Sequence, residues 1–277
     1  MYETLNNGWK KLLARLFVAP CLAITVMSGC ANKPDASGAS AGRGEMLTDS
    51  DETAERKRAR NRSDLAQGYF EMGKPIIALD EIKLAILADP TFADAYNLRG
   101  LIYMRLNDYA IAEESFSKAL SIKPRNPDVL HNLGWLKCQQ TAFNQALALF
   151  ARALADPSYV ERAKTYRIQG LCQEAAGMLA DAESSLLRSY EYDAANPVTG
   201  YNLANILYKK RDFVRAQFYI RRLNNSELAN AESLWLGVKV ERSLSNQDAV
   251  LQLATQLEKR FPQSAEAMLY RRGAFDE

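Results

Sequence analysis

The stretch from Ala93 to Asn126 carries the spacing that most constrains the fold of this chain. Two sets of residues in it stand at i, i+4 and i+7, which places each set on one face of a helix. These sets are Tyr96, Gly100 and Tyr103, followed by Ala112, Phe116 and Ala119. The small residues Gly100 and Ala112 allow two helices to approach closely. Pro124 ends the second helix because proline lacks an amide hydrogen. The stretch therefore predicts a helix-turn-helix unit.

The same spacing matches the tetratricopeptide pattern, whose single unit cannot bury its own apolar face and needs copies beside it. Equivalents of Gly100 recur along the chain at intervals of 34, 34, 36, 34 and 33 residues. These marker positions are Ala66, Gly100, Gly134, Gly170, Ala204 and Gly237. Each second helix carries an alanine and a large apolar residue four positions later, as in Ala112 and Phe116. The chain is therefore built from six repeats.

The repeats predict an all-α tetratricopeptide solenoid, with about six helix-turn-helix units forming a right-handed superhelix. The predicted domain spans residues 55–270 and is followed by a tail, 271–277. The expected repeats are about 59–92, 93–126, 127–162, 163–196, 197–229 and 230–263. In such a superhelix the first helix of each repeat lines the concave inner surface.

The inner positions of the first helices are a candidate groove for a protein partner. They mix aromatic, amide and apolar side chains, which suit an extended segment or an amphipathic helix. The predicted groove residues are Asn97, Leu101, Met104, His131, Trp135, Arg167, Leu171, Tyr201, Asn205 and Tyr208. The alternative is that aromatic residues such as Trp135 pack between helices. Repeat 1 offers Ser63 and Gln67 where a carboxylate clamp would need lysine and asparagine, which disfavours a C-terminal carboxylate as ligand.

Residues 1–29 have the pattern of an export signal. A basic region precedes an apolar run of about twelve residues, which is too short to span a bilayer as a helix. The run ends in Met-Ser-Gly-Cys at residues 27–30, which resembles the lipobox of bacterial lipoproteins, although Met27 stands where leucine is usual. The resemblance implies cleavage before Cys30 and lipidation of its thiol. A plain secretory signal or an uncleaved anchor is the alternative. Ala31, rather than aspartate, implies an outer-membrane destination.

Residues 30–54 are rich in Ala, Ser, Gly and Asp and predict a flexible tether behind the lipid. The basic cluster that follows runs from Arg56 to Arg62 on the first helix. It allows two interpretations: contact with anionic lipid, or a solvated helix face balanced by nearby acidic residues.

Two cysteines, Cys138 and Cys172, remain beyond the lipobox, on the first helices of repeats 3 and 4. First helices of adjacent repeats pack side by side, and exported proteins meet an oxidising compartment. The pair can therefore form a disulfide, and two buried free thiols are the alternative.

The bulk composition and the remaining residues give no indication of catalysis. Lys and Arg number 35 against 33 Asp and Glu, which gives a net charge of +2 and no case for a nucleic-acid partner. We find no glycine-rich phosphate loop, metal-ligand spacing or nucleophile arrangement. The single histidine, His131, is expected on a helix surface or in the groove. The sequence predicts a non-enzymatic binding scaffold without metal or cofactor, apart from the lipid on Cys30.

A lipobox, a tether and six repeats together resemble the type IV pilus biogenesis/stability lipoproteins, the PilF/PilW pilotin family. The local landmarks are 126–138 (NPDVLHNLGWLKC), 156–159 (DPSY), 170–172 (GLC), 234–237 (LWLG) and 261–264 (FPQS). Some members bond cysteines at the positions of Cys138 and Cys172, so the resemblance also implies that disulfide.

The resemblance implies an outer-membrane lipoprotein, anchored by lipid and facing the periplasm of a Gram-negative bacterium. It would bind the type IV pilus secretin, and possibly other pilus assembly proteins, to promote secretin localisation and multimerisation. A monomer is expected. Two alternatives are a scaffold for another envelope assembly machine and a regulator of a cell-wall enzyme.

Overall fold

The structure is a computed structural model that describes residues 51–275. The predicted signal peptide, Cys30 and most of the predicted tether lie outside the described residues. Within them the chain forms thirteen helices and no strand. Twelve helices pair into six repeats, so the predicted all-α tetratricopeptide solenoid is confirmed.

The first helices of the six repeats are α1 (Ala54–Glu71), α3 (Ala93–Arg105), α5 (Pro127–Gln139), α7 (Arg162–Ala175), α9 (Pro197–Lys209) and α11 (Ala231–Ser243). The second helices are α2 (Pro75–Ala88), α4 (Tyr109–Ile122), α6 (Phe143–Leu154), α8 (Leu179–Tyr192), α10 (Phe213–Asn224) and α12 (Gln247–Arg260). A last helix, α13 (Ala265–Arg272), follows the sixth repeat.

Local sequence explains why the helices begin and turn where they do. Asn126 and Asn196 precede a proline, and each side-chain oxygen accepts from two backbone amides of the helix that follows. The turn inside each repeat contains one residue in the left-handed region, seven or eight positions after the marker. These turn residues are Gly73, Asn107, Thr141, Gly177, Arg211 and Ser245. The same short turn therefore recurs in all six repeats.

The helices form two layers with different packing. Each first helix packs closely against the first helices of adjacent repeats, whereas no two second helices in residues 51–275 pack so closely, and α8 and α10 meet through the side chains of Tyr190 and Tyr219. Each of the first five second helices packs between its own first helix and that of the next repeat. The first helices therefore form the tighter, inner layer of the superhelix. Helix α13 contacts α11 and α12 and covers the C-terminal end of the stack.

In the core of each repeat, the first and second helices approach each other closely at the marker position. Gly134 lies against Phe150, and a Cβ built on this glycine would fall 2.7 Å from the ring. Gly170 has the same relation to Leu186. The large second-helix residue is fully buried in the first five repeats: Ile82, Phe116, Phe150, Leu186 and Ile220. The small marker residues thus leave the space that the large residues fill, as the sequence pattern predicts.

Helices α1 and α13 form the two ends of the repeat domain. Helix α1 begins at Ala54, within one residue of the expected domain start at 55, because the Thr53 side chain accepts from the Arg56 amide and caps it. At the other end, α13 continues past residue 270, where the domain was expected to end. Ser264 caps its start, and Gly273 ends it in the left-handed conformation.

Candidate functional site

The first repeat exposes large apolar side chains, whereas the terminal repeat of a solenoid usually has a polar outer face. Leu87 is 78% exposed, Met72 67% and Ile76 60%. We name this surface the apolar edge and define it by six exposed side chains of α1, α2 and the turn between them. They are Leu65, Met72, Ile76, Ile77, Leu84 and Leu87. Exposed apolar side chains on the same two helices are a candidate place for a partner to bind.

A cleft of about 500 Å³ lies at one end of the apolar edge. Its walls combine apolar and basic side chains from both helices: Arg58, Asn61, Arg62, Leu84, Leu87 and Ala88. Arg62 donates to Glu81 at 2.7 Å, and Arg58 pairs with Glu55 at 3.3 Å. The cleft therefore offers leucines for apolar contact beside guanidinium groups that already have acidic partners.

The equivalent positions of the other repeats are mostly polar. In marker register, Leu84 corresponds to Lys118, Arg152, Arg188, Arg222 and Thr255. Leu87 corresponds to Ser121, Ala155, Glu191, Asn225 and Glu258. The exposed leucines Leu84 and Leu87 are thus particular to repeat 1 and do not follow from the tetratricopeptide pattern. Our sequence reasoning missed this surface, although aligning the six second helices would have revealed it.

The basic cluster of α1 is largely paired with acidic residues. The cluster residues Arg56, Arg58, Arg60 and Arg62 pair with Asp89, Glu55, Glu52 and Glu81 respectively. This arrangement matches the interpretation as a charge-balanced helix face. It leaves little net positive charge for attraction to anionic lipid.

Two of the ten predicted groove residues lie in the core instead of on the inner surface. Met104 is 7% exposed and packs in the same apolar cluster as Phe116 and Leu133. His131 is 2% exposed. The expectation that His131 is a surface or groove residue is wrong. The other eight predicted groove residues keep at least part of their side chains accessible.

His131 is the first link of a buried hydrogen-bonded chain between repeats 3 and 4. Its Nδ1 lies 2.8 Å from the Thr165 Oγ1, which lies 2.8 Å from the hydroxyl of Tyr159. Burial, with the nearby Lys164 and Arg167 cations, lowers the pKa of His131 to about 3. Burial also raises the pKa of Tyr159 to about 12. Both groups are therefore neutral at pH 7, and the chain joins α5 to α7 without charge.

The lowered pKa predicts that acid destabilises the fold through His131. In the unfolded chain His131 has its ordinary pKa of 6.5 and binds a proton below that pH. In the folded protein it stays neutral down to about pH 3. Stability therefore falls as the pH falls through this window, by about 2 kcal/mol between pH 7 and pH 5. Urea unfolding of the wild type and of His131→Gln at both pH values measures it. Equal pH dependence in the two proteins would contradict the prediction, since the carboxylates titrate in both.

A second connection joins the same two helices nearer their C-terminal ends. Cys138 of α5 and Cys172 of α7 form a disulfide across 34 residues of sequence, with Cα atoms 5.8 Å apart. This disulfide and the hydrogen bond between His131 and Thr165 hold α5 against α7 at two places along the helices. Repeats 3 and 4 therefore carry cross-links that are not part of the repeat pattern.

The inner surface offers Trp135 as its main exposed aromatic group, at 36% exposure. Other predicted groove residues contact neighbouring repeats: Asn97 accepts from the Asn132 amide at 2.9 Å. Asn205 donates to Glu174 at 3.4 Å. The inner surface thus presents Trp135 among amide groups that are already hydrogen-bonded.

No helix in residues 51–275 is long and apolar enough to cross a membrane. Over the same residues, no three His, Cys, Asp or Glu side chains form a group that could hold a metal ion.

Comparisons with known proteins agree on one group of relatives. The tetratricopeptide repeat family model matches residues 93–126. The type IV pilus assembly protein PilF of Pseudomonas aeruginosa is 27% identical over 202 residues, which cover 73% of this chain and 80% of that protein. The solved structure of PilF from the same organism superposes with a TM-score of 0.72 at 25% identity, covering 80% of this chain and all of that one. The crystal structure of PilW, described as a widely conserved type IV pilus biogenesis factor, gives 0.71 at 29% identity, covering 76% and 97%.

Proposed function

Because this chain is a tetratricopeptide-repeat protein homologous to the type IV pilus biogenesis proteins PilF and PilW, we propose that it is a pilotin. In this role it binds the pilus secretin and promotes secretin localisation and multimerisation in the outer membrane. The homology supports the role in type IV pilus biogenesis. We add the proposal that its particular partner is the secretin.

The observation that carries the proposal is the apolar edge of repeat 1. It exposes leucine, isoleucine and methionine side chains, and at the positions of Leu84 and Leu87 the other repeats carry mostly polar residues. Burying such side chains contributes about 25 cal/mol per Å² of apolar area, which supports this edge as a docking surface. The inner surface around Trp135 is a second contact for the same partner.

In this mechanism, lipidation of Cys30 would anchor the protein to the membrane. Residues 31–53 would then tether the repeats to the membrane with a root-mean-square reach of about 25–30 Å. Capture of a secretin segment by a tethered domain is effectively intramolecular, which raises its local concentration. The anchor thus contributes to secretin binding without contacting the secretin.

The anchor predicts that Cys30→Ser moves the protein out of the membrane fraction. Serine cannot accept the thioether-linked lipid, and no helix of residues 51–275 is suited to cross a membrane in its place. Sucrose-gradient fractionation of envelopes measures the distribution. A variant that still co-sediments with the outer membrane would refute lipid targeting, provided that the repeats remain folded by circular dichroism.

The docking surface predicts that Leu84→Arg greatly reduces surface piliation and secretin multimers. A buried leucine contact at an interface is worth about 1–2 kcal/mol, and a cation in its place adds a desolvation cost. Repeats 3, 4 and 5 carry arginine at the equivalent position, so the fold should accept the substitution. Sheared-pilus yield and heat-stable secretin multimers in a complemented deletion strain measure the effect.

Val214→Arg is the matched control for this substitution. Val214 is 69% exposed on the second helix of repeat 5, far along the stack from the apolar edge. It should leave piliation unchanged. Normal pili with Leu84→Arg would exclude the apolar edge as the docking surface, and normal pili in the deletion strain would exclude the pilotin role.

A further inference from the structure

We propose that the outer face of α10 is a second membrane contact, which lays repeat 5 against an anionic phospholipid surface. Helix α10 belongs to the outer layer of the stack, and we name the exposed side of this helix and of the turn before it the arginine face. Its members are Arg211, Val214, Arg215, Phe218, Arg221 and Arg222. The proposal goes beyond the proposed function, because this contact does not involve the secretin.

The arginine face consists only of arginine and large apolar side chains. No other side chain between residues 211 and 222 is exposed, and none of the six is acidic. Val214 is 69% exposed and Phe218 61%, and they stand four residues apart on one side of the helix. Arg221 and Arg222 follow Phe218 by one helical turn. The face therefore combines an apolar centre with cations around it.

Phe218 is not required by the repeat pattern. The equivalent positions of repeats 1 to 4 carry acidic or small residues, namely Asp80, Glu114, Ala148 and Ser184. The Phe218 ring meets the edge of the Tyr219 ring with 5.0 Å between their centres, and Tyr219 in turn packs edge-on against Tyr190 of α8. Phe218 therefore projects outward from an aromatic base instead of filling the core.

The arginine face also carries an excess of positive charge. Two of its four arginines pair with the buried carboxylates of Glu183 and Glu241. The other two, Arg211 and Arg222, form no ion pair with any residue in 51–275. The excess is two charges, from Lys210 and the four arginines against Glu183, Asp212 and Glu241. In the basic cluster of α1, by contrast, each arginine has an acidic partner.

The chemistry of the arginine face fits a phospholipid surface better than a protein. Its apolar part is only two side chains, which is small beside the core of a stable protein interface. At a bilayer surface the same two side chains can enter the boundary of the acyl chains, while the long arginine side chains reach the phosphate groups. A guanidinium presents its donors in a planar fork that matches a phosphate. A lipid on Cys30 would hold the repeats beside such a surface, so that a weak contact is sufficient.

Photo-crosslinking of the full-length protein on vesicles tests the proposal. The photoreactive residue p-benzoylphenylalanine replaces Phe218 or, as the control position, Leu251, which is 64% exposed on α12. The vesicles consist of phosphatidylethanolamine and phosphatidylglycerol, and mass spectrometry measures the phospholipid adducts. We expect an adduct yield about tenfold higher at position 218 than at position 251, and a lower yield at 218 on vesicles of phosphatidylcholine alone.

Two substitutions test the charge and the apolar centre separately. Arg222→Glu, with the crosslinker at 218, should lower the phospholipid yield about tenfold because it reverses a charge at the surface. Phe218→Glu, with the crosslinker at Val214, should lower it by removing the apolar contact, and Glu114 at the equivalent position of repeat 2 indicates that the fold accepts it. Lys118→Glu is the matched control, since it stands in repeat 2 at the position of Arg222 and should leave both yields unchanged.

Each other outcome overturns the proposal. Equal phospholipid yields at positions 218 and 251, or with and without Arg222→Glu, would show nonspecific proximity to the membrane. No phospholipid adduct at 218 would show a solvated face, and adducts to a second copy of this chain would show self-association. In cells, adducts from position 218 to another protein in place of phospholipid would show a protein partner. None of these outcomes bears on the secretin, whose binding is read from piliation with Leu84→Arg.

Discussion

Removing the Cys138–Cys172 disulfide is expected to lower the free energy of unfolding by about 4 kcal/mol. The bond closes a loop of 34 residues, and the chain-entropy model assigns about this stabilisation to a loop of that length. The double substitution Cys138→Ala and Cys172→Ala tests it in a segment spanning residues 51–275, which contains no other cysteine. Urea unfolding of that segment and of the substituted one measures the difference.

The reducing agent dithiothreitol provides the control for this prediction. It should destabilise the unsubstituted segment by a similar amount and leave the alanine variant unchanged. Thiol titration of the unfolded, unreduced segment gives an independent reading. A result of two free thiols per chain would show that the disulfide does not form, and the expected stabilisation would then be absent.

Replacing Phe116 by alanine is expected to cost about 3–5 kcal/mol of stability. Its ring is fully buried against Gly100, where no side chain of the first helix can move in to fill the space. The loss should be largest in repeat 2 and its neighbours, since each repeat contacts only those beside it. Urea unfolding gives the total, and amide hydrogen exchange resolves which helices lose protection.

Phe218→Ala is the matched substitution on the outer surface. Phe218 is 61% exposed on α10 and touches the edge of the Tyr219 ring, so its loss should cost less than about 1 kcal/mol. Comparable costs at Phe116 and Phe218 would mean that the marker glycines do not define the core.

The repeat architecture could be predicted from sequence because its determinants are local and periodic. The spacing of Gly100 and Phe116 reports a close approach within one repeat, and the structure places this pair in contact. The copies at Gly134 and Gly170 extend the same contact along the chain. Each such pair needs only its own repeat to form, so a single sequence is sufficient to find it.

The features that were missed depend on partners distant in sequence. His131 has the spacing of an inner-surface residue, but Thr165 of the next repeat and Tyr159 of the segment before α7 enclose it. The position of α13 was hidden because the tetratricopeptide register ends near Pro262. Its capping residues, Ser264 and Gly273, are visible in the sequence and could have indicated a short final helix.

The apolar edge was missed for a different reason. The repeat pattern directs attention to positions that all repeats share, whereas Leu84 and Leu87 matter because they depart from their equivalents. The sequence contains that signal, yet only the exposure of α2 in the structure shows that these leucines lack a neighbour.

Helix α13 also limits how copies of this protein can associate. A solenoid with two open ends could join head to tail with other copies, because each end resembles the interior surface that a next repeat would cover. Such a heterologous contact produces filaments wherever its rotation does not close a ring. By covering α11 and α12, α13 removes one of the two surfaces that this polymerisation needs. The protein can therefore expose apolar side chains on its first repeat without polymerising into a fibre.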